Sequence, residues 1–132
     1  MPEQAADEYM RKASVLIVEN DGLMAIQLSQ SLDKTGYHAI NLEYSGENAI
    51  DKIGKGAQPD IVLIDSGLGG KLDCIQTARE IQQIRRIPVI FLAGQNEIPK
   101  ILKSRGIYRS KCVQKPFLLI DLVDAIDTLL KR

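Results

Sequence analysis

Five apolar segments punctuate the chain. Three of them, Ser14–Val18 (SVLIV), Asp60–Ile64 (DIVLI) and Pro88–Leu92 (PVIFL), are continuous and rich in β-branched residues. A strand with one wet face would alternate; these do not, so they predict strands buried on both faces, as in a parallel sheet. Tyr37–Leu42 (YHAINL) and Ile107–Gln114 are weaker strand candidates. Helical spacing fills the gaps. Met24, Ala25, Leu28 and Leu32 share one face, with Gly36 placed to take the left-handed conformation at the helix end. Ala49, Ile50 and Ile53 form a shorter stripe that stops at Gly54-Lys55-Gly56. Ile75, Ala78 and Ile81 mark a third helix, ended by the approach to Pro88. Residues 97–105 predict a fourth, with Pro99 tolerable only in its first turn. Leu119, Leu122, Val123, Ile126, Leu129 and Leu130 repeat at three and four and predict the last.

Strand and helix thus alternate five times. Such alternation requires crossover helices and a parallel sheet covered on both sides. The expectation is a single α/β domain, a (βα)5 three-layer sandwich, over residues 13–132. Residues 1–12 read as a loose polar leader. The length, 132 residues, suits one domain, and no internal repeat is visible.

Composition narrows the function. With 45% hydrophobic and 26% charged residues the chain is not a disordered one. Seventeen lysines and arginines balance seventeen aspartates and glutamates, so no basic excess exists to neutralise a nucleic-acid backbone. No apolar run approaches the roughly 20 residues that cross a bilayer, and the polar N-terminus carries no signal-peptide core. The expectation is a cytoplasmic protein without direct membrane or nucleic-acid contact. Cys74 and Cys112 are too few for a disulfide scaffold or a structural zinc site, and His38 alone leaves a His-rich metal site short of ligands. Any chemistry therefore rests on carboxylates and lysine.

Open parallel sheets place their sites beyond the C-terminal ends of the strands. The first strand ends in Glu19-Asn20-Asp21, the third in Asp65, the fourth in Ala93-Gly94 and the fifth in Lys115-Pro116. Carboxylates gathered on one rim repel one another unless a cation joins them. Hard oxygen ligands point to magnesium. Asp65 would then be a nucleophile toward phosphorus, forming an acyl phosphate, while metal and lysine stabilise the transferring charge.

Blander readings exist for each residue. Asp65 alone is an ordinary strand-end aspartate. Glu19 and Asp21 are also first-turn acids that favour a helix dipole, and Asp21 suits an N-cap. The glycine-rich stretch 66–70 follows the wrong strand for a dinucleotide loop and reads as a mobile connection. His38 reads as a partly exposed strand residue, and Cys112 as a small core residue. The cations between Lys100 and Lys111 read as a solvated face.

Four segments in order, VLIVEN-D, PDIVLID, IPVIFLAG and VQKPF, resemble the response-regulator receiver domain of two-component signalling, and the resemblance spans residues 14–130. It implies a flavodoxin-like fold with strand order 2-1-3-4-5 and a cis Lys115-Pro116 bond. It implies that Asp65 is the phosphoacceptor and that Lys115 pairs with the phosphoryl group. It also implies magnesium held by Glu19, Asn20, Asp21, Asp65 and the Gly67 carbonyl. The implied partners are a sensor histidine kinase or histidine phosphotransfer protein and a downstream protein or output domain, with a homodimer also possible. The domain would signal rather than turn over a metabolite. Three positions depart from the family pattern. Asn20 stands where a second acid is expected. Ala93 stands where a threonine or serine is expected, and Cys112 where a tyrosine or phenylalanine is expected, with Tyr108 close but out of register. Ala93 and Cys112 support a runner-up reading, a degenerate receiver that acts only as a protein-interaction module. A third, an aspartate-nucleophile hydrolase, lacks its acid/base at Gly67. In the family the fourth helix, fifth strand and fifth helix often contact partners. Here that surface carries Lys100, Lys103, Arg105, Arg109 and Lys111, which suits an acidic partner.

Overall fold

A computed structural model describes residues 13–130; the expected leader, 1–12, lies outside them. Apart from Ser14, every residue of the three central strands is buried, and this dictates the layering. The elements run β1 (Ala13–Val18), α1 (Gly22–Asp33), β2 (Tyr37–Glu43), α2 (Gly46–Gly54), β3 (Ile61–Asp65), α3 (Cys74–Ile84), β4 (Val89–Ala93), α4 (Ile98–Lys103), β5 (Ser110–Gln114) and α5 (Leu119–Leu130). The five strands are all parallel, in the order β2-β1-β3-β4-β5. On one face Leu16, Ile64 and Phe91 pack against Ile53 of α2, Ile81 of α3 and Ile101 of α4. On the other, Val15, Leu63 and Ile90 meet Leu32 of α1 and Leu122 and Ile126 of α5. This is the expected three-layer, flavodoxin-like sandwich.

The helices begin where the sequence offers caps. Asp21 caps α1 through the N–H groups of Leu23 and Met24, and Ser45 caps α2 through Asn48. Asp73 and Gln76 form a reciprocal capping box on α3. Gly36 and Gly56 take positive φ after α1 and α2, as the turns there demand.

Two sequence expectations need correction. The fifth strand starts at Ser110, not Ile107. Tyr108 is bound to α3: the Gln82 amide donates to the carbonyls of Ile87 (2.9 Å) and Tyr108 (2.6 Å) and accepts from the Tyr108 N–H (2.7 Å), and the chain reaches the sheet only at the Arg109 carbonyl, which accepts from the Val89 N–H at 3.1 Å. Gly106 and Arg109 turn the chain there with positive φ. Met24 is not on the buried stripe of α1; it is 49% exposed, while Ala25 and Leu32 carry the contact.

Gly46 explains how α2 and α3 approach. A Cβ there would stand 2.1 Å from Thr77 Oγ1, with Thr77 Cβ and Cγ2 also inside 3.4 Å. Overpacking of this kind costs about 1–3 kcal/mol. Gly46→Ala should lower stability by that amount in urea melts, and adding Thr77→Ala should restore part of it. An additive double variant would show that the two residues do not meet.

The sheet borders differ from its centre. In β2 the register slips between Val15↔Ala39 and Leu16↔Asn41, so Ile40 has no partner across the ladder. In β5, Ser110, Lys111 and Gln114 are exposed.

Candidate functional site

Asp65 closes β3, and Lys115 follows β5, two strands away across the sheet. Parallel strands deliver both to the same rim. Lys115 Nζ lies 2.5 Å from Asp65 Oδ1. The Asp65 side chain is 7% exposed and that of Lys115 35%, so the carboxylate is the buried partner and the amine reaches in from solvent. Asp65 Oδ2 accepts the N–H of Gly67 at 2.8 Å. The Lys115 N–H donates to the carbonyl of Ala93 at 2.7 Å, which fixes the lysine at the end of β4. The Lys115-Pro116 bond is cis.

Glu19 completes the cluster. Burial pushes its carboxyl above the usual range, and the neighbouring Asp65 charge adds to this; the Asp21 N–H and Lys115 act in the opposite sense. A raised carboxyl holds its proton longer in the folded protein than in the unfolded chain. Its contribution to stability is therefore lost as pH rises through the folded value. Glu19→Gln should stabilise the protein at neutral pH, by less than about 1 kcal/mol because solvent screens a half-exposed group. The gain should vanish below the ordinary glutamate range. Melting curves at pH 7.5 and pH 3.5 check this; equal shifts at both would sever the link to charge.

Glu19, Asp65 and Lys115 share an opening of about 240 Å³ with Met24, Leu28 and Phe117. Asp21 caps α1 with one oxygen, its Oδ1 accepting from Leu23 (3.0 Å) and Met24 (3.2 Å), and its charge is felt by Glu19. Among the described residues no three Asp, Glu, His or Cys side chains converge as a metal centre. The donors at hand are the carboxylates of Glu19 and Asp65, with that of Asp21 beside Glu19. The exposed Asn20 supplies a neutral oxygen, and the Gly67 peptide lies against Asp65. That set suits an ion that keeps most of its waters and takes one or two carboxylates, as magnesium does.

The glycine-rich connection after Asp65 is tied to the rest of the fold at two points. Leu68 is 8% exposed within the core, and the Leu72 N–H donates to Glu47 Oε1 at 3.0 Å. Ala93 is fully buried and brings no hydroxyl to the rim. The hydroxyl of Ser66, the residue after Asp65, donates to Glu97 Oε1 at 3.1 Å. Sequence reasoning missed Glu97. The available signal was its place just after β4, on the same rim as Asp65. Cys112 is half-buried against the core below, and burial pushes its thiol up. The Cys74 thiol is raised to about 11, chiefly by burial. His38 lies at the start of β2, at the opposite end of the sheet, 3.5 Å from Asp33. Of the expected basic face, Arg109 is diverted: its guanidinium donates to the Leu129 carbonyl at the end of α5.

Residues 15–127 match the family described as response regulator receiver domain. The chain is 27% identical over 118 residues to the transcriptional regulatory protein PdtaR of Mycobacterium tuberculosis, covering 89% of this chain and 57% of that protein. It is 27% identical over 117 residues to the response regulator receiver protein CpdR of Brucella abortus, covering 88% of this chain and 95% of that one. Among solved structures, the signal receiver domain of a modulated diguanylate cyclase from Desulfovibrio desulfuricans superposes with a TM-score of 0.81 at 27% identity, over 91% of this chain and 94% of that one. The chain spans about half the length of most of the curated relatives it matches. Among the described residues no helix is long and apolar enough to cross a membrane.

Proposed function

Because the chain belongs to the response regulator receiver domain family, we propose that Asp65 accepts a phosphoryl group from a histidine kinase or histidine phosphotransfer protein in a magnesium-dependent step. The output is an altered protein–protein contact, in a cytoplasmic setting. The observation that carries this reading is the ion pair between the buried Asp65 carboxylate and Lys115 at the open rim of the sheet. A carboxylate oxygen of Asp65 attacks phosphorus. The phosphorus–nitrogen bond of the donor breaks, and its electron pair stays on the imidazole, which takes up a proton. Lys115 is free to follow the transferred oxygens because its amine is the solvent-facing member of the pair. Glu19, Asp21 and Asp65 would hold magnesium, with Asn20 and the Gly67 carbonyl as neutral oxygens. Bound there, the ion supplies positive charge to the phosphoryl oxygens.

Ala93 and Cys112 favour a second reading, a degenerate receiver that binds partners without phosphorylation. Its support is the absence of any hydroxyl at position 93, a buried strand end. Incubation with a small phosphoramidate or acyl phosphate and magnesium, followed by intact mass measurement, separates the two. One added phosphoryl group supports the phosphoacceptor. No adduct under donor excess leaves the interaction module.

A further inference from the structure

We propose that the groove between α3 and α4 is a docking site for a carboxylate-rich segment of a partner protein. A groove of about 660 Å³ runs between the two helices, with Arg79, Lys100 and Lys103 on its walls. A second, of about 390 Å³, continues from it past Arg86 and Tyr108. Arg79 borders both, so the two form one valley. Its one lining carboxylate, Asp73, already faces Lys100 at 3.5 Å. Among the described residues Arg79, Arg86 and Lys103 have no carboxylate at ion-pair distance. The chain as a whole is neutral, so this positive valley reflects placement rather than composition. Acids gather elsewhere, as Asp121, Asp124 and Asp127 do on α5 in the opposite layer.

The valley is also pre-organised. Arg79 donates through Nε (3.2 Å) and Nη2 (2.7 Å) to the Arg105 carbonyl, which holds the guanidinium plane in place. Gln82 ties Tyr108 to α3 by two bonds. Arg86 lies 4.4 Å above the Tyr108 ring. A guanidinium fixed in this way loses little freedom when a carboxylate pairs with it. The lining argues for peptide over nucleic acid: Tyr108 is the one aromatic lining either groove, and Arg86 already stacks on its ring, so the valley offers no row of platforms for successive bases.

The test uses the whole chain, 15N-labelled and unphosphorylated, titrated with an acetylated octapeptide of alternating Glu and Ser. The expected result is saturable shifts of the amides of Arg79, Gln82, Lys103, Arg105 and Tyr108, with none from the matching Gln/Ser peptide. The double substitution Arg79→Gln, Lys103→Gln should weaken binding about tenfold, as two lost surface ion pairs would. Arg86→Gln, at an exposed position, serves where the double variant folds poorly. Shifts scattered over the surface, or affinity indifferent to these substitutions, would overturn the proposal. Tighter binding of a single-stranded DNA octamer at the same residues would also overturn it, in favour of nucleic acid. Phosphoryl uptake at Asp65 should be unchanged in these variants, so this test and that of the phosphoacceptor fail independently.

Discussion

The Asp65→Asn protein should show no added phosphoryl group after donor treatment, under conditions in which the parent chain gains one. The amide is nearly isosteric with the carboxylate but is a far poorer nucleophile, so the loss should be complete within detection. The fold should survive. An asparagine oxygen still accepts the Gly67 N–H that Asp65 Oδ2 accepts at 2.8 Å, and Lys115, the more exposed partner, turns to water. A second readout accompanies the first. The Asp65 charge is one of the causes that raise the Glu19 carboxyl, so the substitution should move Glu19 back toward its ordinary range, as a carbon-detected titration would follow. A persistent adduct would place the acceptor elsewhere. An unmoved Glu19 would mean that the two carboxylates do not share the rim.

Phe91→Ala should be the costliest single truncation, about 3–5 kcal/mol. That is a large share of a total stability of about 5–15 kcal/mol. Phe91 is fully buried and is among the largest fully buried side chains. It stands in a row across three strands, between Ile64 of β3 and Cys112 of β5. The α-helical layer over it includes Ile101, so the cavity cannot close without moving α4. Leu102→Ala is the control. At 71% exposure it should change stability by no more than about 0.5 kcal/mol in the same guanidinium melts. Comparable losses for both would contradict the layering.

The centre of the fold was legible because burial on two faces leaves an unbroken apolar run. Val15–Val18, Ile61–Ile64 and Val89–Leu92 could hardly be anything but interior strands. The margins were harder. Ile107 and Tyr108 suggest strand, yet the Tyr108 backbone bonds to Gln82, a polar residue 26 positions away that no periodicity reveals. Met24 sits at helical spacing with Leu32 but lines the opening beside Asp65 instead of the core. At the site, Asp65 and Lys115 were foreseeable because each ends a strand, and parallel strands end on one side. Asp21 was open between ligand and cap; it does cap α1, a role that uses one of its two carboxylate oxygens. The Ser66–Glu97 contact was not foreseeable, since it depends on how two loops lean together.

The open borders of the sheet bear on how the protein behaves at high concentration. An unprotected edge strand is a template for a neighbouring molecule's backbone, the first step toward amyloid-like stacking. The unmatched Ile40 interrupts that template on one side by twisting the backbone out of line. On the other side a visiting strand would have to lie against Lys111, a charged neighbour, along a border only five residues long. Chains crowded together are thereby steered away from joining edge to edge, and the sheet stays five strands wide.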